Sequence, residues 1–159
     1  TEQDTSFRRA LLEGYVHDQG AAMAGGIAGH AGLFATANDL AIYGQLLLNR
    51  GEYGGERYFK AETIDQFTSK QSASSRRGLG FDRWDPNPKN EYPSKLANST
   101  VFGHTGYTGT CIWVDPQNQL VYIFLSNRVH PQVSTKLYDL NIRSRIQDAI
   151  YEVINEAKK

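Results

Sequence analysis

Leu120-Val121-Tyr122-Ile123-Phe124-Leu125 is apolar at all six positions. Branched and aromatic side chains fill it, a composition that suits a pleated backbone. A strand apolar on both faces has to be covered on both, so the run predicts a central strand with helices against it. Asp115-Pro116-Gln117-Asn118-Gln119 precedes it as a five-residue connection rich in turn formers. From Val101 the pattern has a period of two, and Thr110, Ile112 and Val114 alternate with Cys111 and Trp113. That reads as a second strand, so the two make an antiparallel hairpin.

The helices are punctuated more clearly. Thr36 followed three residues later by Asp39 is a capping-box pattern, and Leu40, Tyr43, Leu46 and Leu47 then recur at helical spacing. Gly51 stands where a left-handed stop is expected. A shorter helix over Ala61 to Thr68 would bury Ile64 and Phe67, and Gln71 to Arg77 reads as a polar loop. Asp85 to Asn90, which includes Pro86 and Pro88, reads as another loop. The last element, from Leu140 to Ala157, carries Ile142, Ile146, Ala149, Ile150, Val153 and Ile154 as one stripe, with Lys158 and Lys159 at its negative end. Helices, a hairpin and a closing helix predict an α+β arrangement.

Composition narrows the class of partner. The chain has 159 residues, enough for one domain, and its 17 Lys and Arg balance 17 Asp and Glu, so no bulk field gathers nucleic acid. With 40% hydrophobic and 21% charged residues it is too apolar for a disordered polymer and too charged for a membrane protein. Cys111 is the single cysteine, which rules out an internal disulfide and Cys-based zinc sites. The opening Thr1-Glu2-Gln3-Asp4 has neither a basic start nor an apolar stretch, and it lacks an initiator Met, as a piece of a longer chain would.

Several stretches could carry chemistry. Gly25-Gly26-Ile27-Ala28-Gly29-His30-Ala31-Gly32-Leu33-Phe34 runs into a helix but lacks both G-x-G-x-x-G and a G-K-[ST] ending. A tight backbone path is the better account of it. His17, His30, His104 and His130 are scattered and form no H-E-x-x-H, so no metal and no cofactor is expected. Asn98-Ser99-Thr100 matches a short glycosylation sequon. Asn127, Arg128, Val129, His130 and Pro131 leave the apolar strand together and border either a cleft or only their own turn. In Gly103-His104-Thr105-Gly106-Tyr107-Thr108-Gly109-Thr110, three glycines crowd one strand entry. Glycine there means that another backbone or a ligand approaches closely, or that the edge is bulged.

His104-Thr105-Gly106 resembles the Lys/His-Thr/Ser-Gly third motif of the serine β-lactamase and penicillin-binding-protein superfamily, in its class C β-lactamase-like branch. Val16-His17-Asp18, Gly29 to Leu40 and Leu125 to Pro131 are similar, in order, to segments of that branch. They look most like modules that follow family 3 glycoside hydrolase domains in bacterial envelope proteins, and the likeness covers nearly the whole chain. It implies the C-terminal part of a β-lactamase/transpeptidase-like fold, antiparallel strands with packed helices, in the bacterial periplasm or cell envelope.

The resemblance further implies that His104 and Thr105, with Gly106, meet a substrate carboxylate, and that the Tyr107 N–H is one oxyanion donor. His30, Asn127 and Arg128 border the site in this reading. The superfamily acts through Ser-x-x-Lys, which occurs nowhere in this chain, and Tyr92-Pro93-Ser94 lies too close to His104 for the second motif. The expectation is therefore a partial module, residues 1–159, of a serine hydrolase acting on a small-molecule or peptidoglycan-derived amide or ester. Alone it would be inactive, and it would either self-associate or depend on the missing N-terminal part. The alternative is a non-catalytic module that binds a wall peptide, a glycan or a neighbouring glycoside hydrolase domain. In either case His104 and Thr105 should face a groove, with Ile112 and Val114 farther along the same strand in the core.

Overall fold

The computed structural model describes residues 1–159. In chain order the elements are β1 (Glu2–Gln3), β2 (Leu11–Leu12), α1 (Gln19–Met23), α2 (Ala37–Leu48), β3 (Glu52–Tyr53), β4 (Glu56–Arg57) and α3 (Ala61–Thr68). They continue as β5 (Asp82–Arg83), β6 (Phe102–Thr105), β7 (Cys111–Asp115), β8 (Leu120–Phe124), α4 (Lys136–Asp139) and α5 (Ile142–Ala157). The fold is α+β. β5, β6, β7 and β8 form an antiparallel sheet in that spatial order, and β1–β2 and β3–β4 are separate two-stranded ladders.

Alternation splits the sheet's side chains between two layers. On one face Phe102 and Val114 pack with Leu47 of α2 and Ile64 of α3. On the other, Val101, Cys111, Trp113 and Tyr122 pack with Ile150 of α5. α2 lies so close to β8 that a Cβ on Gly44 would fall 2.5 Å from Val121 Cγ1.

α2 has both halves of the capping box: the Asp39 N–H donates to Thr36 Oγ1 (3.2 Å) and the Thr36 N–H to Asp39 Oδ2 (3.0 Å). Its end departs from expectation by one residue. Arg50, not Gly51, takes the first left-handed position (φ 53°), and its N–H reaches Leu47 O (3.0 Å) while that of Gly51 reaches Leu46 O (2.8 Å). That pair of bonds is the Schellman closure. α3 spans the expected residues, but it buries Thr68 beside Ile64 and leaves Phe67 exposed.

Three larger expectations are corrected. The run at Leu120 to Leu125 is not the central strand: β8 is an edge strand, β7 has neighbours on both sides, and Leu125 lies outside the ladder and exposed. Both faces of β8 are flanked by helices, which is what an unbroken apolar run reports; it says nothing about neighbours along the edges. Second, the stretch from Val101 to Val114 is two strands, so Ile112 is not farther along from His104 but directly opposite it. Third, α5 turns Gln147 and Tyr151 to the sheet and leaves Ile146 and Val153 exposed. The Tyr151 hydroxyl donates to Asp115 Oδ2 (2.8 Å) and the Tyr122 hydroxyl to Arg143 O (3.0 Å), and these bonds set the rotation of the helix.

Two buried carboxylates make the fold acid-sensitive. Burial alone pushes the Asp82 carboxyl up, but hydrogen bonds from the Arg76 guanidinium, the Arg83 N–H and the Tyr92 hydroxyl outweigh it and hold it below the ordinary range. Burial likewise opposes ionisation of Asp115, and donors from Asn98, Asn118 and Tyr151 reverse the sign. A carboxyl held lower in the folded than in the unfolded chain adds stability above its unfolded value, about 3.9, and loses it as pH falls through the folded one. Thermal melts should therefore be nearly flat from about pH 7 to 5 and drop steeply below about pH 4. An acid-insensitive melting temperature would contradict this account.

Candidate active site

β6 and β7 are joined by a tight turn whose geometry the glycines permit. The Gly109 N–H closes it on Gly106 O (3.1 Å), and the Gly106 N–H reaches Thr110 O (2.7 Å). Gly109 sits at φ 120°, where a Cβ would meet Ser126 Oγ at 2.5 Å. In a trans peptide the N–H points opposite to the C=O. With Gly106 O drawn into the turn, the Tyr107 N–H is directed outward and donates to no protein acceptor.

His104, Thr105, Gly106 and Tyr107 line one cleft of about 1400 Å³, with His30 and Asn127 also on its wall. His104 is exposed and Thr105 half-buried, while Val114 lies in the core and Ile112, half-buried, shares the cleft wall. Arg128 does not reach the cleft. It is buried behind Tyr107, its Nε donating to Tyr107 O (2.7 Å).

Both imidazole nitrogens of His104 are engaged. Nδ1 lies 2.7 Å from Thr105 O, and Nε2 lies 2.9 Å from Arg77 Nη1. Arg77 can only donate, so Nε2 is the acceptor and the proton sits on Nδ1. Arg77 also lies 3.3 Å from Asp82 Oδ2, whose two oxygens accept from Arg76 Nε and Nη2 at 2.8 Å each. A line of charge thus runs from a buried carboxylate through a guanidinium to the cleft imidazole. Sequence reading did not find Arg77; it sits in a polar loop 27 residues before His104, with nothing local to mark it.

The facing wall comes from the first 35 residues. Arg8 ties it together, donating from Nε to Asp4 Oδ2 (2.8 Å), from Nη2 to Glu2 Oε1 (3.1 Å) and His17 O (2.9 Å), and from Nη1 to Val16 O (2.6 Å). The Arg8 side chain, aided by the Phe7 and Arg8 N–H groups, holds the Asp4 carboxyl far below its usual range. The His17 ring stacks on Tyr107 (centroids 4.9 Å apart, 18° between planes). Its Nδ1 lies 2.9 Å from Glu2 Oε1, near enough for an ion pair although off the hydrogen-bond direction. Asp18 caps α1 through the Ala21 N–H (2.7 Å) and holds His30 Nε2 at 2.8 Å. His30 is thereby pinned at the tip of the turn closed by Ala28 and Ala31. In the sequence, His17 and Asp18 are marked by a family-like segment and as scattered metal-ligand candidates, and neither signal points to the stacking on Tyr107 or the hold on His30.

The remaining candidates have structural partners. The glycine-rich stretch is entered directly from α1 rather than from a strand, and Gly32 packs directly on the Gly26 backbone. No three His, Cys, Asp or Glu side chains cluster as metal ligands would. Asn98 donates through Nδ2 to Asp115 Oδ2 (2.8 Å). Tyr92 is half-buried edge-on against Trp113, its hydroxyl bonded to Asp82 and its ionisation pushed up to about 12 by desolvation first and the carboxylate second. Asn127 Oδ1 accepts the Val129 N–H (2.9 Å) and His130 N–H (3.2 Å), and its Nδ2 donates to Thr1 O (2.9 Å), so it closes its own turn and also borders the cleft.

Known proteins converge on one family. The family model described as Beta-lactamase matches residues 2–145. A protein of Escherichia coli (strain K12) named "Putative D-alanyl-D-alanine carboxypeptidase" is 38% identical over 130 residues, 81% of this chain and 30% of that protein. One of the same name from Salmonella gallinarum is 36% identical over 141 residues, 86% of this chain and 32% of its own length. The chain thus spans about a third of the length of these curated relatives. Among solved structures, a beta-lactamase from Mycobacterium bovis superposes with TM-score 0.62 at 23% identity, over 78% of this chain and 46% of that one, and speaks for the fold alone. A "Putative 6-aminohexanoate-dimer hydrolase" from Bacillus anthracis gives TM-score 0.53 at 26% identity, over 76% of this chain and 30% of that one. With nearly all of its length matched by the family model and its sheet and helices following the same fold, the chain belongs to the beta-lactamase family.

Proposed function

We propose that this chain is the C-terminal part of a serine hydrolase module and supplies one wall of its acyl-transfer site. The observation that carries the reading is the placement of His104, Thr105, Gly106 and an unpaired Tyr107 N–H along one cleft. A serine from the rest of the module would attack an amide or ester carbonyl, expel the amine or alcohol, and pass the acyl group to water. The Tyr107 N–H would stabilise the tetrahedral oxyanion. Thr105 and the remaining N–H groups of Arg77, held beside His104, would meet a carboxylate on the substrate. The names of the curated relatives favour a D-alanyl peptide; a β-lactam or simple ester fits the same donors.

The finer placement is part of the same proposal: the class C-like branch, a neighbouring family 3 glycoside hydrolase domain, and the bacterial periplasm or envelope. No helix is long and apolar enough to cross a membrane. The unpaired edge of β8 and the exposed Ile146 and Val153 of α5 are where the rest of the module would pack.

The test is covalent labelling. This chain alone should be neither labelled by a fluorescent penicillin nor able to hydrolyse a chromogenic β-lactam, because it has no Ser-x-x-Lys. The longer protein that contains it should be labelled at such a serine. Labelling of the chain alone would mean that the nucleophile lies within it. A longer protein that binds wall peptide or glycan but never acylates would favour the non-catalytic module.

A further inference from the structure

The geometry points to Arg128 as the residue that sets the direction of the Tyr107 N–H, a positioning role that rests on reading this N–H as the oxyanion donor. Stabilisation of an oxyanion depends on a donor already aimed before charge develops. The turn that carries Tyr107 is poorly suited to that by composition, since Gly106 and Gly109 flank it and glycine gives a backbone more freedom than any other residue. Rigidity has to come from outside the turn.

Arg128 supplies it. The residue is 8% exposed and makes no ion pair, an arrangement that costs stability unless the guanidinium is otherwise held. Here Nε donates to Tyr107 O (2.7 Å), Nη1 donates to Ser134 O (3.1 Å), and the Arg128 N–H donates to Thr108 O (2.8 Å). One residue thus grips two successive carbonyls of the turn. The guanidinium carbon also lies 4.2 Å from the centroid of the Tyr107 ring and 4.7 Å from that of Tyr138. Anchoring the Tyr107 carbonyl and ring limits rotation on the C-terminal side of its N–H, and the Gly109–Gly106 bond fixes the peptide on the other. Arg143 braces the far end, its Nη1 donating to Thr110 O (3.0 Å). Arg128 does not line the cleft, so it acts through Tyr107 and touches no substrate.

Two measurements on Arg128→Ala and Arg128→Lys test this. In the chain itself, 15N relaxation should show the Tyr107 and Thr108 amides falling from a rigid order parameter near about 0.85 to below about 0.6 in the alanine variant, with β7 and β8 unchanged. Lysine keeps the charge and the ring contact but cannot bridge two carbonyls with a fork, so it should fall between the two. In the longer enzyme the single-turnover acylation rate constant should drop on the order of 10-fold to 100-fold with the dissociation constant of the non-covalent substrate complex within about twofold, as expected when a donor is misaimed. Unchanged turn relaxation, or weaker non-covalent substrate binding at an unchanged acylation rate constant, would overturn the role of Arg128. A longer enzyme that never acylates would overturn the functional reading instead, while the relaxation data would still decide whether Arg128 holds the turn. Should the alanine variant not fold, the lysine variant decides by the same two readouts.

Discussion

Gly103→Ala is expected to cost about 3 kcal/mol, the upper part of the range for overpacking, and to lower the melting temperature by roughly 6 to 12 °C for a domain of this size. Gly103 pairs with Trp113 across the β6–β7 ladder. A Cβ on Gly103 would lie 2.8 Å from Trp113 Cα and 2.8 Å from Trp113 Cε3, and closer still to the Ile112 carbonyl oxygen. Two of these three atoms are backbone of the central strand, which cannot yield without pulling apart the register that sets His104 opposite Ile112. The third belongs to an indole that is 2% exposed in the core. The glycine is therefore demanded by the close approach of its own partner strand. Gly29 is the control: nothing lies within 4 Å of its added Cβ, and Gly29→Ala should change stability by less than about 0.5 kcal/mol. Equal melts for the two variants would refute the packing argument.

The second large effect is expected at Asp115, which is 1% exposed and has no cationic partner. Neutral donors hold its charge: Asn98 Nδ2 (2.8 Å), Asn118 Nδ2 (2.7 Å), the Asn118 N–H (3.1 Å), the Tyr151 hydroxyl (2.8 Å) and, at longer range, the Thr100 hydroxyl (3.3 Å). Removing the carboxylate strands all of them at once, and Asp115→Ala should cost about 3 to 5 kcal/mol. Asp115→Asn should be nearly as harmful, since its amide turns a donor toward donors. Tyr151→Phe removes one bond and leaves the acceptor its donors from Asn98, Thr100 and Asn118, so about 1 kcal/mol is expected. Urea unfolding of the three variants gives the ordering directly. A loss in Asp115→Ala no greater than in Tyr151→Phe would mean that the carboxylate does not organise this corner.

Much of the local structure was legible because its causes lie within a few residues. Thr36 and Asp39 are three apart, so the hydrogen bonds that start α2 can be read from spacing alone. The connection from Asp115 to Gln119 and the strands on either side of it follow from turn chemistry and alternation. His104, Thr105 and Gly106 stood out because three glycines beside an imidazole and a hydroxyl make an unusual strand entry, and they lie together on the cleft wall. The family was legible too, since ordered short segments carry it and it asks for no contact between them.

Side-chain pattern registers what covers a strand's faces, and Leu120 to Phe124 accordingly lie between α2 and α5. Pairing along a strand's edges uses backbone N–H and C=O groups that every residue but proline carries alike, so no pattern could show that β8 is an edge and β7 the centre. The same holds for the contacts that arm the cleft. Arg77 meets His104, His17 stacks on Tyr107, and Arg128 grips the Tyr107 carbonyl across separations that follow from chain topology rather than from local spacing. The sequence alone determined the start of α2, the extent of α3, the connection between β7 and β8 and the residue types at the cleft. Which strand lies inside, which face of α5 is buried and where the Tyr107 N–H points were decided only by tertiary packing, because there the partner of each group is chosen by the fold.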